Sequence, residues 1–238
     1  VGSEMCIRDR MWRVSETAFT QMNSYLAARS TEGGHLSDQV AEALRAARED
    51  AAENGTPAPS PVVGDLLTVL AAAAPNASQG AVAVTPAAGV VGLHLLAGLP
   101  EKATMTCIEP EAALQAGAKE AVRNAGFSPS RVRFLTARPL EVMGRLANDA
   151  YQIVYADVSP VELRPLIEAA WPLLAPGGTL VLAGSLLDGP VAAPTRRDRE
   201  TEAAREADEF VDTLTAERGA AVARLPLDGG LTLITKIG

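Results

Sequence analysis

The chain has 238 residues, of which 47% are hydrophobic and only 4% aromatic, so it can bury a substantial core built mainly from aliphatic side chains. Its 29 acidic residues outnumber its 21 basic residues and give a formal net charge of -8. This charge argues against a nucleic acid or an anionic membrane as the main partner and favours a small molecule.

The cysteine content and the hydropathy pattern favour a reducing compartment. The two cysteines, Cys6 and Cys107, are too few for a disulfide framework, and Cys107 lies in an apolar strand-like run where a reduced, buried thiol is usual. Glycine, proline or charged residues interrupt every apolar run before it is long enough to cross a bilayer. We therefore expect a cytoplasmic protein.

The beginning of the chain is expected to lie outside the fold. Residues 1–10 do not begin with methionine and lack the apolar middle region of a signal peptide. We interpret them as a non-native leader before a native start at Met11. We expect residues 11–238 to form one domain, with N-terminal helices over 11–75 and a sheet-containing core over 80–238.

Three helices are predicted before the sheet. Helical periodicity runs from Met11 to Ala28 and from a serine cap at Ser37 to Asn54, with Gly33-Gly34 between them. After the proline-rich segment 55–61, one face of a third helix is formed by Val63, Leu66, Leu67 and Leu70.

From Gly80 onward short apolar runs alternate with amphipathic helices, which is typical of βαβ units in a parallel sheet. The predicted strands are Ala81–Val84, Thr104–Ile108, Val132–Thr136, Gln152–Ala156 and Thr179–Ala183. One helix face contains Leu114, Ala118, Ala121, Val122 and Ala125, and another contains Leu163, Leu166, Ile167, Ala170, Trp171 and Leu174. We expect Gly126 and Pro176-Gly177-Gly178 to end these two helices.

The C-terminal pattern decides the architecture. A charged helix over residues 197–218 precedes two strand-like runs, Ala221–Leu227 and Leu231–Lys236. Asp228-Gly229-Gly230 separates them and is a hairpin signal, so the two strands must pair antiparallel. The fold class is therefore α/β, with a seven-stranded sheet that ends in an antiparallel hairpin, unlike the dinucleotide-binding order of six parallel strands.

Ligands of open α/β sheets bind outside the carboxyl ends of the strands, so the first strand-to-helix turn is a candidate site. Gly89 could let the backbone approach a ligand closely. Thr85, Pro86 and Ala87, however, replace the looser glycine-rich turn that such sites usually have. A tight turn without a ligand explains this segment equally well.

Glu109 is the strongest single candidate. It follows the second predicted strand about 20 residues after the first turn, where a carboxylate can accept hydrogen bonds from ribose hydroxyls. The alternative is a structural acid beside Pro110 at the first position of the next helix, where it would complement the helix dipole.

Asp157 is the second candidate carboxylate, at the end of the fourth predicted strand. Ser159 and Glu162 have capping-box spacing, with Pro160 at the first helical position, so Asp157 is not needed as a cap. It could contact a cofactor or a substrate oxygen, or it could be a solvated loop acid. His35 and His94 belong to no visible pair, and no Cys/His spacing indicates zinc, so we expect both to be surface or packing residues.

Together these residues resemble the bacterial O-methyltransferases of the catechol O-methyltransferase-like group, over nearly everything from Pro59 to Lys236. The resemblance rests on Ser60-Pro61-Val62-Val63-Gly64, Val91-Gly92-Leu93, Cys107-Ile108-Glu109-Pro110-Glu111, Ser130-Arg131-Val132-Arg133, Ala137-Arg138-Pro139-Leu140, Ser159-Pro160-Val161-Glu162-Leu163, Leu174-Ala175-Pro176-Gly177-Gly178, Arg196-Arg197-Asp198-Arg199-Glu200-Thr201 and Leu225-Pro226-Leu227-Asp228-Gly229-Gly230-Leu231.

The resemblance implies a class I methyltransferase (Rossmann-like) fold, a homodimer, and methyl transfer from S-adenosylmethionine to a small-molecule hydroxyl. The positions at which this group contacts the cofactor are occupied here by Val63, Ala83, Thr85, Pro86, Gly89, Val91, Glu109, Pro110, Ala137 and Asp157. Among these, Ala137 falls near the adenine, and Asp157 would also serve as the catalytic residue.

The chain departs from this group at several functional positions. Ala183-Gly184 stand where the group has an Asp-Asn pair of metal ligands, and Pro160 stands where it often has a catalytic lysine. Asp157 alone is too little to hold Mg²⁺ well, so we predict no metal site and transfer without a metal.

Two other functions were weighed against this prediction. A non-catalytic scaffold or regulatory dimer would explain the altered first turn and the missing metal ligands. A nicotinamide-dependent oxidoreductase is disfavoured by the C-terminal hairpin and by the absence of a G-x-G-x-x-G motif.

Overall fold

A seven-stranded sheet forms the centre of the molecule in a computed structural model that describes residues 18, 20–29, 36–73 and 80–237. The strands are β1 (Gly80–Val84), β2 (Met105–Ile108), β3 (Val132–Leu135), β4 (Tyr151–Ala156), β5 (Leu174–Leu182), β6 (Ala220–Leu225) and β7 (Leu231–Lys236). Their order is β3-β2-β1-β4-β5-β7-β6. Strands β1 to β5 are parallel, and β7 is antiparallel to β5 and β6. The predicted sheet and its C-terminal hairpin are confirmed.

Helices cover both faces of the sheet. They are α1 (Asp38–Glu53), α2 (Pro61–Ala72), α3 (Ala88–Gly98), α4 (Ala112–Asn124), α5 (Pro139–Val142), α6 (Pro160–Ala170) and α7 (Arg199–Arg218), with short 3-10 turns at Pro129–Arg131, Met143–Arg145, Trp171–Leu173 and Pro190–Ala192. Residues 20–29 are helical as predicted, whereas the start of that predicted helix, the leader 1–10 and Gly33-Gly34 lie outside the described residues. Within the described residues, none of the helices combines the length and the apolar character needed to cross a bilayer.

Alternation along each strand divides the core into two faces. In β1, Val82 and Val84 pack with residues of α6 and α7, whereas Ala81 and Ala83 pack with residues of α2, α3 and α4. Helix α1 forms a further layer, because its buried alanines contact Val90 and Leu93 of α3 and small residues of α4. The candidate site therefore lies on a sheet that is covered on both faces.

Serine caps fix where α1 and α2 begin. The Ser37 hydroxyl accepts a hydrogen bond from the Val40 N–H at 3.4 Å, which confirms the predicted cap. Ser60 caps α2 in the same way through the Val63 N–H, and Pro61 occupies the first helical position, where its missing N–H costs nothing.

The predicted boundary at Pro176-Gly177-Gly178 is wrong. Helix α6 ends at Ala170, a 3-10 turn follows, and β5 already begins at Leu174, which the sequence pattern placed on the helix face. The cause is pairing with the start of β4: the Asp149 and Ala150 N–H groups donate to the carbonyls of the 3-10 turn at 3.0 and 3.1 Å. The glycines instead accommodate a register irregularity within the β4–β5 pair.

Helices α2 and α3 pack at a distance that only glycine permits. A Cβ added to Gly98 would lie 2.1 Å from the Thr68 carbonyl oxygen and 2.9 Å from Ala71 Cβ. Gly144 likewise has a backbone conformation that residues with a side chain can adopt. A Cβ added there, however, would meet nothing within 4 Å.

We therefore expect Gly98→Ala to destabilise the protein by about 1–3 kcal/mol through overpacking between α2 and α3. Gly144→Ala is the matched control and should change stability by less than about 0.5 kcal/mol. Urea denaturation of both variants measures the difference, and equal stabilities would contradict the close packing of these helices.

Candidate functional site

The register of the parallel strands places three predicted residues side by side. Val84 at the end of β1 pairs with Ile108 of β2 and with Ala156 of β4. The next residue in each strand is Thr85, Glu109 or Asp157, so these three follow one another along the carboxyl edge of the sheet. Neighbouring strands lie about 4.8 Å apart, so the backbones of Glu109 and Asp157 lie roughly 10 Å apart across the sheet, with Thr85 between them.

Backbone hydrogen bonds extend this row to five strand ends. The Glu109 N–H donates to Leu135 O at 3.1 Å, and the Asp157 N–H donates to Val84 O at 2.8 Å. On the far side the Ala183 N–H donates to Ala156 O at 2.9 Å. The row therefore lies at the point where chain order reverses between β1 and β4, which is the usual ligand position in open α/β sheets.

Glu109 is buried, with 5% of its surface exposed. Its Oε1 accepts a hydrogen bond from the Glu111 N–H at 2.8 Å, and Oε2 has no hydrogen-bond partner among the described residues. Burial raises the pKa of Glu109, against the opposing effect of the Glu111 N–H. The alternative with Pro110 at the first helical position is wrong, because the cap of α4 is Glu111 and the helix starts at Ala112.

A buried glutamine that sequence reasoning missed holds Glu109 in place. Gln115 on α4 is 1% exposed, and its Nε2 donates to the Glu109 carbonyl at 3.1 Å. Its Oε1 accepts from the Thr136 hydroxyl at 2.8 Å, so both halves of the amide are used. Gln115 thereby joins the ends of β2 and β3, where Ala137 follows as a half-buried residue.

Unlike Glu109, the Asp157 carboxylate is influenced by a side-chain hydrogen-bond donor, Thr85. Burial raises the pKa of Asp157, and a hydrogen bond from the Thr85 side chain opposes this shift. The capping box predicted for the next helix is wrong in part: Ser159 is the cap of α6, but its side chain makes no capping bond. The prediction that Asp157 is not itself a cap agrees with this arrangement.

A second acid and a tyrosine lie near Asp157. Tyr155 is 1% exposed, and burial together with the negative charges of Asp157 and Asp228 raises the pKa of its hydroxyl. Asp228 belongs to the β6–β7 turn and accepts a hydrogen bond from the Ser60 N–H through Oδ2 at 2.7 Å. The turn is therefore hydrogen-bonded to the start of α2, and its carboxylate lies within electrostatic range of Tyr155.

The first turn is closed by a side chain and not by glycines. The Thr85 hydroxyl accepts a hydrogen bond from the Ala87 N–H at 3.2 Å, and Thr85 is buried. Ala87 is the cap of α3 and supplies no side-chain bond to the first N–H groups of that helix. These N–H groups and half-buried Pro86 face the edge that carries Glu109 and Asp157.

Three predicted contact residues lie with their side chains in the core. Ala83 and Val91 are fully buried and Val63 is 1% exposed. Gly89 is the second residue of α3, and a Cβ added there would lie 3.5–3.6 Å from Ala121, Ala118 and Ala47. Contacts at this distance are ordinary van der Waals contacts, so helix packing does not itself require glycine at this position. Pro110 is exposed at the edge of the site.

The two residues directly after β5 have no side-chain oxygen that could bind a metal. Ala183 and Gly184 stand there, and the Ser185 hydroxyl is within hydrogen-bond distance of Gly230 O and the Thr232 hydroxyl at 3.2 and 2.8 Å. No group of three or more His, Cys, Asp or Glu side chains within the described ranges is arranged to hold a metal ion.

No family model matches the chain. Similar sequences are nevertheless found among bacterial proteins. A candidate O-methyltransferase of Mycolicibacterium vanbaalenii is 39% identical over 164 residues, covering 69% of this chain and 72% of its own length. A candidate O-methyltransferase of Mycobacteroides abscessus is 34% identical over 206 residues, covering 86% of this chain and 92% of its own length.

Solved structures show the same fold. A protein of Corynebacterium glutamicum is 54% identical, with a TM-score of 0.84 over 93% of this chain and 98% of its own. The O-methyltransferase TomG of Streptomyces achromogenes, solved in complex with S-adenosylmethionine, is 22% identical with a TM-score of 0.72 over 83% and 90% of the two chains.

The burial of Asp157 leads to a stability prediction with a defined sign. Burial raises the pKa of Asp157 in the folded state above its value in the unfolded chain. Above the folded-state pKa, the ionised carboxylate therefore lowers the stability of the protein. This loss disappears as the pH falls below the pKa of Asp157 in the unfolded chain. We expect Asp157→Asn to be neutral or stabilising at pH 7, where a typical substitution destabilises by about 1 kcal/mol. Any gain should vanish in acid.

Asp208→Asn is the matched control. The Asp208 carboxylate accepts from Arg224 Nε at 2.6 Å, so its removal should cost up to about 1 kcal/mol. Thermal denaturation at several pH values compares the variants, and a destabilised Asp157→Asn would contradict the argument.

Proposed function

This chain belongs to the bacterial O-methyltransferases, and we propose that it transfers a methyl group from S-adenosylmethionine to the hydroxyl of a small molecule. The observation that carries the proposal is the row formed by Glu109, Thr85 and Asp157 at the point where the strand order reverses. Backbone pairing holds two carboxylates at this edge, and we assign ribose binding to Glu109 and proton transfer to Asp157.

The chemistry of Glu109 fits the ribose of S-adenosylmethionine. A carboxylate can accept hydrogen bonds from both ribose hydroxyls, and Glu109 keeps Oε2 for this purpose while Oε1 is held by the Glu111 N–H. Gln115 fixes the backbone on which the carboxylate is carried. Thr136 and Ala137 follow β3, the strand next to the one that ends at Glu109, and would line the adenine.

S-adenosylmethionine, when bound, supplies a methyl group on a positively charged sulfur for in-line displacement by the acceptor oxygen. Asp157 would accept the proton that this hydroxyl loses. Its raised pKa brings the carboxylate closer to the working pH of a general base. Asp157 would hold the acceptor's proton while the oxygen–methyl bond forms and the methyl–sulfur bond breaks, with S-adenosylhomocysteine as the leaving group.

We propose that this transfer needs no metal. Support comes from the donor set: beside Asp157 the chain supplies Ala183 and Gly184, and the Ser185 hydroxyl is engaged with the β6–β7 hairpin. A hard cation such as Mg²⁺ needs oxygen ligands that these positions do not offer.

The acceptor, the assembly and the compartment are further proposals. The net charge of -8 supports a small-molecule acceptor with no nucleic acid or membrane partner. Family membership supports a homodimer. Cys107 is a free, fully buried thiol whose pKa is raised to about 12 by desolvation, which fits the proposed cytoplasmic location.

A non-catalytic scaffold is the second candidate function. It is favoured by the first turn, where Thr85, Pro86 and Ala87 stand in place of glycines and the Ala87 N–H is already taken by the Thr85 hydroxyl. A protein of this kind would keep the fold without binding S-adenosylmethionine.

We expect Glu109→Gln to weaken S-adenosylmethionine binding by about tenfold to a hundredfold, because charge-assisted hydrogen bonds contribute roughly 1.5–3 kcal/mol. Glu111→Gln is the matched control, since Glu111 is exposed and its side chain makes no capping bond. Isothermal titration calorimetry measures the affinities, and thermal denaturation should show little change for either variant.

The outcomes separate the two functions. A lower melting temperature for Glu109→Gln with unchanged cofactor affinity would make Glu109 a structural acid. Absence of S-adenosylmethionine binding by the wild-type protein would favour the non-catalytic scaffold.

Metal independence has its own test. Methyl transfer to a hydroxyl acceptor should proceed at the same rate with EDTA or with added Mg²⁺, because Ala183 and Gly184 provide no ligands. Loss of activity in EDTA that Mg²⁺ restores would contradict the proposal.

A further inference from the structure

Tyr155 is a buried tyrosine whose hydroxyl has no hydrogen-bond partner beside the carboxylate row. The residue is 1% exposed and packs between α2 and the sheet, in the same cluster as Val63 and Leu231. Buried tyrosine hydroxyls usually have a hydrogen-bond partner. Among the described residues, however, none forms a hydrogen bond with the Tyr155 hydroxyl.

The small exposed area of Tyr155 includes its hydroxyl oxygen. Within the part of the chain that the structure describes, the only fully enclosed side-chain nitrogen or oxygen without a hydrogen bond is Gln152 Oε1, near the other end of β4. The unpartnered oxygen of Tyr155 is therefore accessible, although the rest of its side chain is buried. Its hydrogen-bond partner must come from solvent or from a bound molecule.

The strand places Tyr155 on the same side of the sheet as Asp157. Tyr155 is the next-to-last residue of β4, and residues two apart in an extended strand project from the same face. The backbone keeps its register as far as Asp157, whose N–H donates to Val84 O at 2.8 Å. Tyr155 itself pairs with Ala83 of β1 and Val181 of β5, so it lies directly beneath the row.

Asp228 in the β6–β7 turn brings a second carboxylate towards the same hydroxyl. Burial raises the pKa of Tyr155, and the charges of Asp157 and Asp228 raise it further. The position of Asp228 is fixed by the start of α2, because its Oδ2 accepts a hydrogen bond from the Ser60 N–H at 2.7 Å. The hydroxyl therefore lies within electrostatic range of two carboxylates from separate parts of the chain.

These surroundings make Tyr155 a hydrogen-bond donor and not a base. Because its pKa is raised above the ordinary value of about 10, the hydroxyl keeps its proton at neutral pH. Within the described residues, no basic side chain lowers this pKa. Tyr155 thus offers a donor on the side of the sheet where Asp157 offers an acceptor.

Resting on the proposed function, we propose that the hydroxyl of Tyr155 donates a hydrogen bond to the acceptor oxygen, while this oxygen gives its own proton to Asp157. The acceptor oxygen is then held by a donor and an acceptor that both come from β4 and its end. Tyr155 is therefore a catalytic residue, and it stabilises the negative charge that develops on the acceptor oxygen.

The proton and the methyl group move to different partners in this reaction. The O–H bond of the acceptor breaks and its proton goes to Asp157. The oxygen–methyl bond forms as the methyl–sulfur bond breaks, and the sulfur keeps the electron pair of that bond and leaves as S-adenosylhomocysteine. Tyr155 keeps its own proton throughout, and its hydrogen bond strengthens as charge develops on the acceptor oxygen.

The same arrangement selects the charge of the reacting group. A hydroxyl can donate to Asp157 and accept from Tyr155, whereas an ionised carboxylic acid can only accept. The negative charges of Asp157 and Asp228 would also repel an anion. We therefore expect the site to bind an uncharged phenol or alcohol and to reject a carboxylate.

Carbon-13 labelling of the tyrosine Cζ atoms tests the contact directly. The chain has three tyrosines, so Tyr25→Phe, Tyr151→Phe and Tyr155→Phe assign the three signals. When phenol is added to the wild-type protein loaded with S-adenosylhomocysteine, the Tyr155 signal should shift. The Tyr151 signal should not, because Tyr151 begins β4 at the opposite edge of the sheet. An unchanged Tyr155 signal overturns the proposal.

Titration with phenol measures the contribution of the hydroxyl. The affinity of the S-adenosylhomocysteine complex for phenol should fall about threefold to tenfold in Tyr155→Phe, as expected for the loss of one hydrogen bond. Tyr151→Phe removes a hydroxyl from the same strand and is the matched control, with unchanged affinity. Benzoate should bind the wild-type complex at least about tenfold more weakly than phenol, and equal affinities would overturn the two-sided contact.

Thermal denaturation and titration with S-adenosylhomocysteine separate this role from a structural one. Tyr155→Phe keeps the buried ring and removes a hydroxyl that makes no hydrogen bond in the protein, so the melting temperature and the S-adenosylhomocysteine affinity should not change. A lower melting temperature together with weaker binding of both ligands would make Tyr155 a structural residue and overturn the proposal.

The remaining outcomes distinguish this proposal from the proposed function. Binding of S-adenosylhomocysteine without binding of phenol, or equal phenol affinities for the wild-type protein and Tyr155→Phe, overturns the role of Tyr155 alone. Absence of S-adenosylhomocysteine binding by the wild-type protein overturns the proposed function as well.

Discussion

The register of β1 with its two parallel neighbours is the constraint on which the site depends. Because Val84 is opposite both Ile108 and Ala156, the residues that follow all three strands emerge at one level of the sheet. A shift of one residue in either pair would turn Glu109 or Asp157 towards the opposite face. The backbone bond from the Asp157 N–H to Val84 O continues this register one residue beyond the strands.

Placing carboxylates on this edge has an energetic cost that the surroundings only partly offset. Burial raises the pKa of both Glu109 and Asp157, while the Glu111 N–H and the Thr85 side chain act in the opposite direction. Within the described residues, no basic side chain offsets this cost for either acid. Stability alone therefore does not explain a buried and a half-buried carboxylate on strands about 10 Å apart. A bound ligand with hydroxyl groups, as proposed above, would account for them.

The sequence predicted those parts of the structure that local patterns encode. Asp228-Gly229-Gly230 identified the hairpin because all three residues adopt the positive φ that this turn requires, and Glu109 and Asp157 could be placed because they directly follow apolar runs. Contacts between distant segments were not predictable in this way. Gln115 and Thr136 are 21 positions apart and Arg48 and His94 are 46 apart, and periodicity does not encode such pairs.

The altered first turn illustrates why a motif and its structural purpose must be distinguished. Glycines in such turns leave room for a ligand and free N–H groups for it, whereas here Thr85 closes the turn on the Ala87 N–H and also supports Asp157. Gly89, the glycine that remains of the pattern, lies within the first turn of α3, where a Cβ would make only ordinary contacts with Ala47 and Ala118. Less of the cofactor's binding can therefore come from this turn. Under the proposed function, Glu109 must therefore contribute more of the binding energy than a ribose-binding carboxylate does beside a glycine-rich turn.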